Sequence, residues 1–272
     1  MTAVITFNDI PAQNHMFKYE RLGQMALENR RLYCNRHGYT FISEVEIARD
    51  RPACWAKIPA ILKAFEKHDW VLWADSDTLI FDHSRRIEDF FNAKFDLIVQ
   101  SHDHYYELMG LDPTVGYEMM PINTGVFLIR NTTWSKWLLA EAYKQQQFIC
   151  YNKIWNGIGE QEAMIAVLQQ HPDGLKKVGY VENLQNHPKY YQSGDMFVHF
   201  YGSYSRHYIP MDECEKVLTK WENANATGST FPDDIERFHW CSIQTKQPDS
   251  SMERDDLDTY LYTPEDIGII SS

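Results

Sequence analysis

Nowhere in these 272 residues do apolar side chains run together for the roughly 18 positions that a membrane-spanning helix needs. The opening residues, Met1-Thr2-Ala3-Val4-Ile5-Thr6-Phe7, carry neither a basic stretch nor a long apolar core, so no secretory signal peptide is expected. Positive charge is scarce as well. With 26 Lys plus Arg against 38 Asp plus Glu the formal net charge is −12, which argues against a general nucleic-acid surface, since that needs a basic face. A phosphate-bearing substrate would then call for a local metal. The five cysteines, Cys34, Cys54, Cys150, Cys214 and Cys241, are odd in number and show no CxxC pair or zinc-finger spacing, so they read as reduced thiols of a cytoplasmic protein. Internal repeats are absent. So is a glycine-rich basic loop after the first strand, where Phe7-Asn8-Asp9-Ile10-Pro11 stands instead, and this argues against a nucleotidyltransferase.

A hydrophobic content of 44% supports one large α/β domain, or a domain with an appendage. Aromatic residues make up 14%, enough for a dense core or for stacking platforms under a base or sugar, and composition does not choose between these. The most informative stretch is Asp69-Trp70-Val71-Leu72-Trp73-Ala74-Asp75-Ser76-Asp77-Thr78-Leu79-Ile80-Phe81. Trp70 to Ala74 is apolar without alternation, the mark of a strand covered on both faces inside a parallel sheet. Two carboxylates follow where that strand ends. Ligands of open α/β sheets gather beyond the carboxyl ends of strands, and hard divalent cations take carboxylate oxygens, so Asp75 and Asp77 suggest a metal–diphosphate site. The plainer alternative is a strand-ending turn capped by Asp and Ser. Spacing alone would not decide, because Asp256-Leu257-Asp258 repeats it, but no hydrophobic strand precedes that second pair.

Along the chain, Thr2 to Phe7 reads as a first strand, Phe17 to His37 as an amphipathic helix stopped by Gly38, and Tyr39 to Val45 as a second strand. Trp55 to His68 is a helix feeding the strand before Asp75. This strand–helix alternation is the signature of a mostly parallel sheet flanked by helices. A short helix is expected over 85–92 and a strand over 95–100. The loop 101–121, with His102, His104, Tyr105 and Tyr106, is long enough to suggest a lid or binding loop. A buried strand follows over 125–129, then a helix carrying Trp134, Trp137, Leu138 and Tyr143. Gly159-Glu160-Gln161-Glu162 opens another helix that runs through Leu168, and acids in its first turn suit the helix dipole. Strands over 177–181 and 197–202 flank a polar, aromatic loop over 186–195. From Asp212 a helix begins, and the tail from Gln247 is acidic and polar. The division expected is a catalytic domain over 1–209 and a helical extension with acidic tail over 210–272.

Five blocks together resemble a known family. Trp55-Ala56-Lys57-Ile58-Pro59, Trp70 to Asp77, Asn123-Thr124-Gly125-Val126-Phe127-Leu128-Ile129-Arg130-Asn131 with Trp134, Glu160-Gln161-Glu162-Ala163-Met164 and Val198-His199-Phe200-Tyr201-Gly202 follow the order and spacing of the galactosyl-, mannosyl- and xylosyltransferases. That family includes α-1,2-galactosyltransferases and xyloglucan xylosyltransferases, and the resemblance covers roughly residues 2 to 205. It implies a GT-A, Rossmann-like fold, a nucleotide-sugar donor with UDP favoured, and a saccharide or glycoconjugate acceptor. It also implies Mn²⁺, with Mg²⁺ as the alternative, and transfer with retention of anomeric configuration.

By that resemblance Asp75, Asp77 and His199 hold the metal, although a lone His in an apolar strand is otherwise read as a core residue. Ser76 lies near the ribose, and Thr6, Asn8, Lys57, Gly125 and Gly202 join the donor-binding set. Gly125 lets backbone approach the sugar, and the Asn123 amide binds hydroxyls. Gln161 faces the reacting carbon and Glu160 binds donor hydroxyls. An amide is a poor nucleophile, so front-face transfer is expected over double displacement.

Two positions depart from the family pattern. Glu162 replaces a small residue, which opens a carboxylate role there. Tyr204 stands where a diphosphate-binding lysine is common, and Arg206 is the candidate to replace it. The family's anchor and stem are not seen, so a cytoplasmic location, peripheral to a membrane at most, is expected. Homo-oligomerisation is left open. The competing function is a glycan-binding protein on a decayed transferase scaffold, which would keep an aromatic groove without needing metal.

Overall fold

The computed structural model describes residues 1–6, 17–43, 45, 50–101, 122–149, 159–188, 191–201 and 211–228. In chain order the elements are β1 (Thr2–Ile5), α1 (Phe17–His37), β2 (Thr40–Ile42), α2 (Lys57–Ala64), β3 (Trp70–Ala74), β4 (Thr78–Ile80), β5 (Leu97–Ser101) and β6 (Ile122–Arg130). Then come α3 (Thr133–Tyr143), α4 (Glu160–Gln170), β7 (Val178–Val181), β8 (Gln185–Asn186), β9 (Phe197–His199) and α5 (Met211–Thr227).

β3 behaves as its composition demands. Val71 and Trp73 point into one core with Trp55, Ile58 and Ile61 near and within α2, Leu138 of α3 and Met164 of α4. Leu72 and Ala74 point into a second core with Tyr33 and Cys34 of α1 and Phe197 of β9. Neighbouring strands split the same way, with Ile5 and Phe127 on the first side and Val4 and Leu128 on the second. A sheet covered on both faces follows, as an uninterrupted apolar strand requires.

The central sheet has the order β2-β1-β3-β6-β5-β7. β1 runs parallel to β2 and β3, and β5 parallel to β7, while β6 is antiparallel to both β3 and β5. All strands but β6 therefore point one way, and the mostly parallel α/β expectation holds. The apolar run over 125–129 fixed that strand's burial but not its direction, because direction leaves no mark on composition.

β4, β9 and β8 form a separate three-stranded sheet. Of the 197–202 run expected as a longer strand, Phe197–His199 pairs, Phe200 and Tyr201 do not, and Gly202 lies outside the described residues; β4 had no sequence expectation at all. The 55–68 helix is also shorter than expected: a 3-10 turn over Ala53–Ala56 leads into α2, which ends at Ala64. α1 matches its expected bounds, and Gly38 ends it with φ +74 while donating to the Cys34 carbonyl at 2.8 Å. Only glycine takes that backbone conformation without strain.

α1 carries an adjacent buried polar pair, Asn29 and Arg30. The Asn29 amide meets the free edge of β4 on both sides of one residue: its Nδ2 donates to the Ile80 carbonyl (3.0 Å) and its Oδ1 accepts from the Ile80 N–H (2.8 Å). Arg30 Nη2 donates to the carbonyls of Asp75 (2.6 Å) and Thr78 (2.8 Å). A side-chain amide thus completes an edge that would otherwise end unpaired. α5 packs on the outer side of α1 with Cys214, Val217 and Trp221, and Trp221 stacks on His83 at 4.8 Å between centroids.

Asn29→Leu keeps the branched outline of the side chain but strands the Ile80 N–H and C=O in a buried place. A loss of about 3 kcal/mol in urea unfolding is expected, from two orphaned backbone groups.

Candidate active site and metal centre

The chain turns sharply after β3. Thr78 donates to the Asp75 carbonyl through its N–H (3.2 Å) and through Oγ1 (2.8 Å), closing a turn over 75–78. The strand-ending turn and the paired carboxylates are therefore one feature, not alternatives. Register then recruits the third group: in the β4–β9 pair Thr78 faces His199, and the Phe200 N–H donates to the Asp77 carbonyl at 2.8 Å. His199 Nε2 comes to 3.3 Å from Asp77 Oδ1.

One ligand atom from each of Asp75, Asp77 and His199 falls within 4.8 Å of the others. Two carboxylates and an imidazole make a donor set suited to a divalent cation such as Mn²⁺. The Asp75 and Asp77 side chains are 32% and 25% exposed, so the cluster opens outward rather than being sealed in the core.

Lys57, at the first position of α2, lies inward of this cluster and is 1% exposed. Its Nζ is 2.5 Å from Glu160 Oε1 and 3.2 Å from Asp75 Oδ1, and it donates to the Thr124 carbonyl at 3.0 Å. Trp73 Nε1 also donates to Asp75 Oδ1, at 2.6 Å. Gln161, the next residue of α4, accepts the Thr124 N–H on its Oε1 at 3.0 Å. Glu160 Oε1 accepts from Thr124 Oγ1 at 3.2 Å. Ends of α2, β3, β6 and α4 therefore converge on Lys57 and Thr124.

These contacts need an irregular β6. Val99 of β5 faces Phe127, yet Ser101 faces Ile122, so two steps along β5 match five along β6. Residues 123–126 are released there from pairing with β5, although Val126 still faces Ala74 of β3, and a bulge of this kind re-aims side chains beside a site. Asn123 Oδ1 folds back to accept the Gly125 N–H at 2.8 Å, which commits the amide oxygen to the backbone. Gly125 is small for a reason the sequence did not suggest. A Cβ there would lie 2.0 Å from His199 Cε1, so the missing side chain is the space that the imidazole fills.

Burial penalises every charge here, and neighbours decide the outcome. For Asp75, burial outweighs the pull of Lys57, and its pKa lies above the ordinary value. For Asp77 burial acts the same way, but an imidazolium at His199, whenever that ring is doubly protonated, together with a backbone hydrogen bond and Lys57, outweighs it and the pKa falls. Lys57 loses to burial and gains more from Asp75 and Glu160, so it is held as an ammonium. Arg30, beneath the turn, is lowered to about 10 by burial against the opposing pull of Asp75 and Asp77. Glu162 is pushed up to about 7 by burial and by Glu160. Its Oε2 accepts the Gly159 N–H at 2.7 Å, so this departure from the family pattern caps the start of α4.

The structure thus brings Lys57, Asp75, Asp77, Asn123, Gly125, Glu160, Gln161, Glu162 and His199 together. Ser76 sits half-buried between the two acids. Thr6 is fully buried at the end of β1, and its Oγ1 has no hydrogen-bond partner among the described residues. Asn8, Gly202, Tyr204, Arg206, the 102–121 part of the expected lid and the tail with Asp256 and Asp258 lie outside the described residues. Thr124, Gln185 and Arg30 went unread in the sequence. Each acts through a partner distant along the chain, and only Thr124 lay within a recognised block.

A mostly parallel sheet covered on both faces, with an acid-rich turn at the end of its central strand, defines a GT-A type α/β fold. A glycosyltransferase involved in the glycosylation of the major capsid of PBCV-1 shares it, with a TM-score of 0.53 at 18% identity over 79% of this chain and 98% of that one. The chain belongs to the galactosyl transferase GMA12/MNN10 family, whose model matches residues 2–210. An uncharacterised alpha-1,2-galactosyltransferase of Schizosaccharomyces pombe is 28% identical over 212 residues, which are 65% of this chain and 55% of that protein. An alpha-1,2-galactosyltransferase of the same yeast is 24% identical over 229 residues, 72% of this chain and 58% of that protein. The chain therefore spans little more than half the length of these relatives. No helix among the described residues is long and apolar enough to cross a membrane.

A raised carboxyl pKa makes the folded state bind more protons than the unfolded chain between about pH 4.5 and 7, so stability falls as pH rises through that window. Glu162→Gln keeps an acceptor for the Gly159 N–H and removes the titration. It is expected to match the wild type at pH 4.5 and to exceed it by about 2 kcal/mol at pH 8 in chemical unfolding. Gly125→Ala is expected to displace the His199 ring from Asp77, seen in a crystal structure of the variant.

Proposed function

We propose that this chain is a metal-dependent, retaining glycosyltransferase. It moves a hexose or pentose from a nucleoside diphosphate sugar, UDP-linked by preference, to a saccharide or glycoconjugate acceptor. The observation that carries this reading is the convergence of Asp75, Asp77 and His199 ligand atoms within 4.8 Å, at the end of a buried strand in a chain of this family.

Asp75, Asp77 and His199 would hold Mn²⁺ or Mg²⁺, which when bound neutralises charge gathering on the departing nucleoside diphosphate. Lys57 fixes the inner oxygen of Asp75 and leaves the outward face of the carboxylate pair for the cation and donor. Glu160, anchored by Lys57 and Thr124, is placed to orient donor hydroxyls. Gln161, next to Glu160, is held by the Thr124 N–H through its amide oxygen. A neutral amide stabilises positive charge on an anomeric carbon without bonding to it, which favours front-face transfer and retention. Asn123 and Ser76 complete the polar lining, and Arg206 stands in for the family's lysine.

The test is donor turnover with a panel of UDP- and GDP-sugars in Mn²⁺, with the anomeric configuration of the product read by NMR. Asp75→Ala, Asp77→Ala and His199→Ala are each expected to keep the wild-type circular dichroism spectrum and to lose on the order of 10²-fold or more in turnover. Asp256→Ala is expected to act as wild type. Glycan binding with no turnover of any donor, or turnover undiminished in chelator, would overturn the reading.

A further inference from the structure

We infer that Gln185 is a positioning residue that fixes the tautomer of His199, so that the nitrogen facing Asp77 is the one carrying a lone pair. The inference rests on the metal reading above and concerns a residue that lies outside the recognised family blocks.

Gln185 sits on β8 at 3% exposure. Its Nε2 approaches two backbone carbonyls of the irregular part of β6, Val126 at 2.8 Å and Asn123 at 3.3 Å. Carbonyl oxygens only accept, so the amide nitrogen must be the end that faces them. The amide oxygen is then forced toward His199, and Oε1 lies 2.8 Å from Nδ1. An amide oxygen cannot donate, so the proton of this contact belongs to Nδ1.

A neutral imidazole has one N–H. With Nδ1 holding it, Nε2 presents a bare lone pair 3.3 Å from Asp77 Oδ1. Two acceptors facing one another at that distance are bridged either by a second proton on the ring or by a metal cation, and the neutral, Nδ1-protonated ring is the form that ligates metal through Nε2. The chain of orientation runs from the β6 carbonyls through the Gln185 amide to the ring. Gly125 allows the ring to lie against the same backbone, since a Cβ there would occupy its Cε1 position. The irregular stretch of β6 therefore both makes room for the imidazole and sets its protonated side.

The first measurement uses the wild-type, metal-free chain. Two-bond proton–nitrogen correlation spectra of the ¹⁵N-labelled protein in alkaline buffer, with His199 assigned by comparison with His199→Gln, are expected to show the proton on Nδ1. A proton on Nε2 overturns the inference with no variant needed. The second uses Mn²⁺ alone, followed by electron paramagnetic resonance. Gln185→Leu is expected to lose the single tautomer and to bind Mn²⁺ at least about tenfold more weakly, as loss of such a partner does elsewhere.

Gln185→Glu keeps the acceptor and forfeits the two donations to β6. It is expected to retain the Nδ1-protonated ring and to restore most of the Mn²⁺ affinity, although it unfolds more easily. Equal weakness in the Leu and Glu variants, or no weakening in Leu, would mean that Gln185 only packs the fold. Failure of the metal reading shows differently, as a wild-type chain that binds no Mn²⁺ while the tautomer measurement still decides the role of Gln185.

Discussion

The site depends on one buried ammonium. Lys57 is shut away from water, and three acceptors surround it: the carboxylates of Asp75 and Glu160 and the carbonyl of Thr124. An isolated buried lysine would give up its proton, and burial pushes the half-buried Asp75 carboxyl upward against the pull of Lys57. Each is tolerated because the others are there. Since Lys57 begins α2, Asp75 follows β3, Thr124 lies in β6 and Glu160 begins α4, this mutual dependence holds four element ends at one point. Breaking such a group by removing one member costs far more than the pairing itself contributes to stability. The arrangement therefore specifies geometry more than it adds stability.

The same economy appears in the backbone. Where β6 leaves regular pairing, its polar groups are satisfied by side chains and turns of the site. Thr124 gives its N–H to Gln161 and its carbonyl to Lys57, while the Asn123 and Val126 carbonyls take Gln185. The Gly125 N–H goes to Asn123, and the Gly125 carbonyl accepts from the Asp75 N–H at 2.7 Å. A buried segment must place all such groups, and here doing so orients nearly every side chain expected to act. The irregularity in the strand and the construction of the site have one cause.

Much of this was legible because it is local. The unbroken apolar run of β3, the helical spacing of α1 with Gly38 behind it, and the acids in the first turn of α4 each signal within a dozen residues. His199 was legible only through resemblance, since its apolar surroundings alone read as core. The meeting of Gly125 with His199 was not legible for a related reason: the side chain that fills the space beside the glycine comes from 74 residues further on, and no local pattern encodes that meeting. Lys57 was placed with the donor-binding residues, but its full burial was not foreseen. Gln185 and Arg30 gave no signal, being ordinary polar residues whose partners are carbonyls of other elements.

The cluster of Asp75, Asp77 and His199 spans two sheets, and this sets what must be rigid. Asp75 leaves the central sheet, whereas His199 ends β9 of the small one, and Asp77 lies on the turn between β3 and β4. Their relative position is only as firm as the contact between the sheets. That contact is an apolar layer in which Ile80, Met196 and Phe197 pack against Val4, Leu72 and Leu128. Close-packed side chains resist displacement in a way that surface ion pairs do not. α1 reinforces the layer from outside, because Asn29 holds β4 at Ile80 while Arg30 holds the turn at both of its ends. Burying a guanidinium whose Nε and Nη1 find no partner among the described residues is costly, and the negative turn above it is what makes that placement tolerable. The acids thus hold the helix charge in place as much as the helix holds the acids. A cation arriving from the open side would meet ligands already set by the fold.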